Sequence, residues 1–395
     1  MSNLSPAALI PLKVSCLLVN YFGAETLAKA LESVCAQQMS NDTFQVVLDL
    51  VVVDNSVDAQ QALQLQHAID TLQLQADSPL SVQLILNTIN TGFGEANNLA
   101  FSKCQGDWVM LLNPDAHMQP NCLLNLAMAL QTQPQLGACC PKQYWDEAQL
   151  WQLPPAWLPT GIGEWTLTQA HHHKRAAQRV SNAYRNLALT AWQSRLPCSQ
   201  RAISGGAMMV RRSAINGPLF DPAFFMYFED SDLSLRLKQS GWQLAMVPDA
   251  HLVHEWTHSA GKVTMMESSK AQYFAKHFNS SGQWQQRINL LSQKSIGAIE
   301  NPLHSFDLTL PDDSLTLNVP EAWASGWLLE ASPSMLFTPA AGQLGVGSKA
   351  SISKRLLNRM SFLNEESNKL NPVYVRLGPA AKTREALQVF KVDLN

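Results

Sequence analysis

Four apolar runs near the start of the chain, each ending in a polar cluster and separated by three stretches with helical spacing, limit what it can fold into. The runs are Val14 to Val19, Val46 to Val53, Val82 to Leu86 and Trp108 to Leu112. Between them, Glu25 to Gln37 carries Leu27, Ala30, Leu31 and Val34 at helical intervals, and Gln61 to Leu74 and Gly94 to Lys103 read as two more helices. Strands alternating with amphipathic helices predict a parallel sheet of βα units, since a parallel connection has to cross the sheet face. The expected class is therefore α/β, with a Rossmann-like, mostly parallel sheet flanked by helices.

Each run ends in polar residues: Asn20 and Tyr21, then Asp54 and Asn55, then Asn87, Asn90 and Gly92, then Asn113 and Asp115. Ligands of open α/β sheets collect beyond the carboxyl ends of the strands, so these clusters are the first place to look for a site. The last, Asn113-Pro-Asp115, offers two oxygen-bearing side chains where a metal-bound phosphate would lie. Taken alone it serves equally well as an Asx-type turn closing a strand.

The rest of the chain narrows the partners. With 28 Lys and Arg against 31 Asp and Glu, a net charge of -3 and a pI near 6.4, there is no global basic footprint for nucleic acid. Seven cysteines without paired spacing, apart from adjacent Cys139 and Cys140, fit neither a disulfide framework nor a zinc site. No apolar run reaches the ~20 residues needed to span a bilayer, and the N-terminus lacks the pattern of a signal peptide. A cytoplasmic protein is expected, with any membrane contact peripheral and at the inner face of the cell membrane.

Residues 145–200, rich in proline and glycine and carrying His171-His172-His173-Lys174-Arg175, read as an insertion over one mouth of the sheet. Its histidine run could bind a metal or a phosphate, but composition favours a solvated, locally basic loop, equally suited to an anionic lipid surface. A strand is expected from Ala202 to Val210, with Gly205 and Gly206 inside it, a placement that weakens a strand unless something approaches the backbone closely. A helix from Asp232 to Gln239 capped by Gly241, a strand from Trp242 to Val247 and a helix over 264–292 follow. Past residue 298 the texture turns to short alternating stretches, and 299–395 read as a small β-rich C-terminal module, with 1–298 as the main domain.

The most specific stretch is 219–236. Phe220, Phe224, Phe225, Tyr227 and Phe228 surround Glu229, Asp230 and Asp232. An apolar wall beside clustered like charges raises a carboxyl pKa and equips it as a general base. Asp230 or Ser231 also suits the N-cap of the following helix, with Asp232 favouring its dipole.

This stretch, the Asn113-Pro-Asp115 turn and the segment Asn90-Thr-Gly-Phe-Gly-Glu-Ala-Asn-Asn98, in this order and at these separations, resemble the family-two glycosyltransferases, particularly the branch containing bacterial rhamnosyltransferases. The resemblance covers roughly residues 12–260. It implies a GT-A fold and metal-dependent transfer of a sugar, with inversion, from a nucleoside diphosphate sugar to a hydroxyl. The branch points to a deoxythymidine diphosphate rhamnose or UDP-sugar donor, a glycan or lipid-linked acceptor and bacterial surface polysaccharide synthesis.

Matched residue by residue, the resemblance puts Asn20, Tyr21, Asp54 and Asn55 at the base and ribose. Asn90, Gly92 and Phe93 line the nucleotide and donor-sugar pocket. Asp115, supported by Asn113, binds Mg²⁺ or Mn²⁺ through the diphosphate, with His254 as a further ligand and His258 as its rival. Asn113 stands where the commoner motif has aspartate, which shifts metal binding toward the donor phosphates. Asp230 is the expected base, Glu229 the runner-up, and Asp232 is expected to act through Arg236. The competing reading is a catalytically inactive sugar-nucleotide-binding or scaffold protein.

Overall fold

Strand β1 (Ile10–Asn20) begins the chain's regular structure and is buried almost throughout from Val14 onward. The computed structural model describes residues 8–394 apart from 76–80, 257–259, 279–285, 287–289, 291–300, 310–312, 362, 365–368 and 384–386. These form two compact units: residues up to Lys142 with 156–158 and 195–254, and residues 143–155, 159–194 and 255 onward.

In the first unit β1 is followed by α1 (Ala24–Cys35), β2 (Phe44–Asp54), α2 (Ala59–Gln75), β3 (Ser81–Leu86), α3 (Gly92–Lys103) and β4 (Trp108–Leu112). Next come β5 (Ala116–Met118), α4 (Cys122–Thr132) and β6 (Leu136–Tyr144). β1 pairs in parallel with β2 and β4, and β2 with β3, so the order β3-β2-β1-β4 is the expected parallel half. α1 buries Ala24, Leu27, Ala30, Leu31 and Val34, the stripe its spacing foretold, and all five residues of β4 are buried. A strand covered on both faces has no polar position to spare, which is why β4 reads as an unbroken apolar run.

Later in the chain, β7 (Trp151–Gln152), α5 (Gly161–His172), α6 (Lys174–Trp192) and β8 (Cys198–Ser199) precede β9 (Ala207–Arg211), α7 (Glu229–Gln239) and β10 (Gln243–His254). β9 is antiparallel to β4 and β6, and β10 to β5 and β8, completing the first unit's sheet. The architecture is thus mixed α/β with a largely parallel centre. The strand expected from Ala202 starts only at Ala207, because Gly205 and Gly206 form a turn. The cap of α7 also differs. Phe228, in the left-handed region at φ 65°, is the N-cap, and Asp230 and Ser231 lie inside the first turn. Gly241, at φ +87°, follows the helix end as expected.

The second unit contains α8 (Ala260–Phe278), β11 (Phe306–Thr309), β12 (Ser314–Asn318), β13 (Trp327–Ser332), β14 (Ala341–Gly345), β15 (Lys349–Ser353) and α9 (Lys354–Met360). A short pair, β16 (Leu363–Asn364) and β17 (Lys369–Leu370), and two longer strands, β18 (Val373–Pro379) and β19 (Gln388–Asp393), complete it. Its main sheet runs β7-β14-β13-β18-β19-β11, so the C-terminal residues are β-rich, as their texture implied. The 145–200 segment holds two helices, and its histidine run closes α5 rather than forming a loop. The expected helix over 264–292 is α8 as far as Phe278, and of its remainder only residues 286 and 290, both helical, are among the described residues.

α6 is bound to the second unit's sheet by a buried charge cluster. Arg185 Nε and Arg376 Nε both donate to Glu330, at 3.1 and 2.7 Å, and all three side chains are at most 2% exposed. Arg376 Nη2 also donates to Glu330, at 2.7 Å, and the other guanidinium nitrogens bond the carbonyls of Pro379 and Ala381 and Ser181 Oγ. Buried charges persist when they are paired and hydrogen-bonded in this way.

Candidate active site

The polar residues at the strand ends first serve one another. Asn20 Nδ2 donates to Asp54, Ser56 and Gln61 at 3.0–3.2 Å, and its Oδ1 accepts from Gly23 N. Asn55 gives its amide to Asn90 Oδ1 at 2.8 Å and to the Gly92 carbonyl, while its Oδ1 accepts from Asn87 and Thr91. Asn20, Asp54 and Asn55 are at most 2% exposed, so they set the shape of the three loops. Tyr21, 55% exposed, and Asn90 present surface there.

The segment 90–98 is a docking platform for the loop before α7. Phe93 N donates to Phe225 O, and Asn98 pairs with Phe220 through two bonds of 2.8 Å, amide to carbonyl and backbone N–H to Oδ1. Asn98 thus imitates a neighbouring strand. Gly92, at φ +80°, and Gly94 sit so close that a Cβ would meet the carbonyls of Phe225 and Phe224 at 2.4 and 2.7 Å. Only glycine allows that approach.

The docked loop delivers α7 with Asp230 in its first turn. Asp230 Oδ2 accepts from Gly205 N at 3.1 Å and Oδ1 from Ser231 N at 2.6 Å. Burial raises the Asp230 pKa, and these bonds to the charged form oppose the rise. Glu229 is 5% exposed, its Oε2 has no hydrogen-bond partner, and burial followed by the charge of Asp230 pushes its carboxyl up to about 8. Asp232 is fully buried and joined to Arg236 at 2.7 Å, and Arg236 also reaches the Leu219 carbonyl. The expected pairing of Asp232 with Arg236 is thus present. Ser234 Oγ accepts from Ile203 N, so α7 grips the 203–206 turn at two points.

Across that turn lie Asn113, Asp115 and His254. Asn113 N donates to Gly206 O at 2.9 Å, which anchors the end of β4. The β5–β10 pairing sets His254 opposite Ala116, and His254 Nε2 stands 3.2 Å from Asp115 Oδ1. His251, three residues earlier and so on the other strand face, faces the Pro248 carbonyl at 2.9 Å instead. A Cβ on Gly206 would lie 3.0 Å from His254 Cε1 and 3.1 Å from Asn113 Nδ2. Two consecutive glycines therefore connect the sites: Gly205 carries Asp230, and Gly206 makes room for Asn113 and His254.

The donor set suits a divalent cation. A carboxylate and an imidazole face each other, and the buried Asn113 Oδ1 beside them lacks a hydrogen-bond partner. Among the described residues no group of three or more His, Cys, Asp or Glu side chains can hold a metal, so further ligands would have to come from Asn113, a bound diphosphate or water. His258 lies outside the described residues. Sequence reasoning missed Gly205 as a donor, Ser234 and the platform role of Asn98, and it read Ser231 as a cap candidate where its N–H instead meets Asp230 Oδ1. The Gly-Gly pair was the one signal for the first, because glycines at that point require a close neighbour.

Among known proteins, an N-acetylglucosaminyl-diphospho-decaprenol L-rhamnosyltransferase of Mycobacterium tuberculosis is 29% identical over 221 residues, 51% of this chain and 66% of that protein. The chain therefore spans just under two thirds of that relative. Rhamnosyltransferase WbbL of Escherichia coli is 34% identical over 104 residues, 26% of this chain and 36% of that protein. Among solved structures, the mannosyltransferase PcManGT from Pyrobaculum calidifontis aligns with a TM-score of 0.44 at 15% identity, over 74% of this chain and 78% of that one. The sequence pattern described as Glycosyl transferase family 2 matches residues 15–215, which is half of the chain and runs from within β1 through β2, β3 and β4 of the parallel sheet. The chain belongs to glycosyl transferase family 2.

Proposed function

We propose that this chain is an inverting glycosyltransferase that moves a sugar, rhamnose first among the candidates, from a nucleoside diphosphate to a hydroxyl of a glycan or lipid-linked acceptor. Family membership and the two rhamnosyltransferase relatives support the reaction class and the choice of sugar. The name of the mycobacterial relative supports a lipid-linked acceptor and a place in bacterial surface polysaccharide synthesis. The observation that carries the reading is the position of Asp230, oriented by Gly205 N–H on one side of a two-glycine turn while Asn113 and His254 occupy the other.

That arrangement divides the chemistry. Asp230 takes the proton of the acceptor hydroxyl as its oxygen attacks the anomeric carbon. Burial and then Asp230 push the Glu229 carboxyl up to about 8, whereas the N–H bonds from Gly205 and Ser231 favour the charged form of Asp230, and this difference supports Asp230 as the base. Asp115 and His254, with Asn113 beside them, would hold Mg²⁺ or Mn²⁺. When bound, that ion supplies positive charge against the negative charge growing on the departing diphosphate. Asn20, Asp54, Asn55, Asn90, Gly92 and Phe93 keep the nucleotide side in shape, and the exposed ring of Tyr21 offers the base a surface.

The test is release of nucleoside diphosphate from a panel of donors, deoxythymidine diphosphate rhamnose and UDP sugars included, with an acceptor and Mn²⁺. Asp230→Asn should lower turnover by roughly 10²–10⁴-fold while donor binding, read by calorimetry, persists. Unchanged turnover would remove Asp230 from the role of base. A chain that binds no donor is not a glycosyltransferase of this kind.

A further inference from the structure

We infer that the tip of the α5–α6 hairpin is a docking surface for an anionic phospholipid bilayer. Between Glu164 and Asp221 the sequence contains no Asp or Glu at all, in a chain where acids outnumber bases 31 to 28. Within that stretch Lys174, Arg175 and Arg179 occupy the first two turns of α6 and are exposed, with exposed His171 and His173 immediately before them. Among the described residues no carboxylate pairs with any of these three cations. The neighbour of Lys174 is another nitrogen, His304 Nε2 at 3.5 Å.

The contrast with Arg185 on the same helix is informative. Arg185 is buried on Glu330 and holds α6 to its sheet, so the fold's use of positive charge on α6 is met there. The hairpin's one acid, Glu164, is likewise taken, by Lys270 of α8. Three like charges left uncompensated at one end of a helix repel each other, and a surface of opposite sign removes that penalty.

Exposed apolar side chains lie on α8, the helix that meets α5 of the same hairpin. Lys270 meets Glu164, and Tyr273 OH donates to the Pro159 carbonyl, so α8 runs antiparallel to the start of α5. One turn back along α8 stand Met265 and Met266, 42% and 44% exposed, level with the later turns of α5 that lead to His171. Cations beside exposed methionines match the interfacial zone of a membrane, where phosphates take the charges and acyl chains take the thioethers. A nucleic acid would neutralise the cations and leave Met265 and Met266 in water. Among the described residues no helix is long and apolar enough to cross a membrane, so this contact is peripheral.

The inference stands apart from sugar transfer, and its test keeps the two separate. The full chain is sedimented with vesicles of phosphatidylcholine alone or mixed with phosphatidylglycerol. Binding is expected for the anionic vesicles and should fall with added salt. Each cation near such a surface contributes roughly fivefold, so K174E/R175E/R179E should weaken binding by about a hundredfold or more. Met265→Ser with Met266→Ser should weaken it by severalfold. Both variants should retain wild-type thermal unfolding and nucleoside diphosphate release from a soluble donor. Should the charge-reversal variant unfold early, K174Q/R175Q/R179Q replaces it with the same expectation. Equal binding to neutral vesicles, no binding to anionic ones, unchanged binding by the cation variants, or capture of duplex DNA in preference to vesicles would each overturn the assignment.

Discussion

The two-glycine turn makes a prediction in which neighbouring, chemically identical substitutions part company. Neither Gly205 nor Gly206 has a positive φ, so alanine fits the backbone at both and restricts the unfolded chain, stabilising by about 0.4–1 kcal/mol. At Gly205 the new methyl would find Asp230 Cβ and Phe93 Cε1 at 3.5 Å and Phe220 Cζ at 3.6 Å, ordinary contact distances. The Gly205 N–H to Asp230 survives, because alanine keeps it. At Gly206 the methyl would meet His254 Cε1 at 3.0 Å and Asn113 Nδ2 at 3.1 Å, so both side chains must give way by a few tenths of an ångström. A misplacement of about 1 Å can cost 10²-fold in rate, so a third of that should cost roughly three- to tenfold. Gly205→Ala should thus unfold slightly later than the parent with turnover within about twofold, whereas Gly206→Ala should gain little stability and lose activity by that three- to tenfold factor. Thermal unfolding and nucleoside diphosphate release on the same preparations decide it. Equal activity losses in the two variants, or none at Gly206→Ala, would refute the division of labour across the turn.

Three further outcomes are expected. The folded Glu229 carboxyl is pushed up to about 8 from an ordinary 4.5 by burial and then by Asp230, so its contribution to stability is intact below pH 4.5 and declines as pH rises toward 8. Glu229→Gln should therefore match the parent in thermal unfolding near pH 4.5 and surpass it increasingly up to pH 8, and a pH-independent difference would contradict the burial argument. Asn113→Asp should tighten Mn²⁺ binding without donor by about tenfold, read by calorimetry, since it adds a charged oxygen beside Asp115 and His254. Glu330→Gln should cost roughly 3–5 kcal/mol in chemical denaturation, because it leaves the buried Arg185 and Arg376 facing each other without their counter-ion.

The parallel half of the sheet was legible because each element carries its own periodicity. The stripe of α1 and the five-residue run of β4 need no distant partner to be recognised. Elements whose identity depends on such partners were harder. Gly205 and Gly206 looked like strand interior because nothing local announces that Asp230, 25 residues on, would take the Gly205 N–H and hold the backbone in a turn. Phe228 as N-cap was unreadable for the same reason. A bulky residue in the left-handed region is imposed by the docking of its loop on 90–98, not by its own preference. At the candidate site, Asp230, Asp115 and His254 were singled out by type and order and stand around the two-glycine turn, whereas the backbone donors around them belong to no residue type. The hydrogen bonds that Asn20, Asp54 and Asn55 make to one another's loops were not legible either, because their partners lie on other strands.

The antiparallel pairing of β5 with β10 has a consequence for how this chain can vary. It brings together two residues more than a hundred positions apart, so the match between Asp115 and His254 is set by the register of the two strands and not by the count of residues in the loops between them. Within β10 itself the count does matter. A single residue inserted between Pro248 and His254 would rotate every following side chain to the opposite face, directing the imidazole away from Asp115 and exchanging its place with a neighbour. Drift in length is thus forbidden within β10 up to His254, a limit that deletion scanning can map one position at a time.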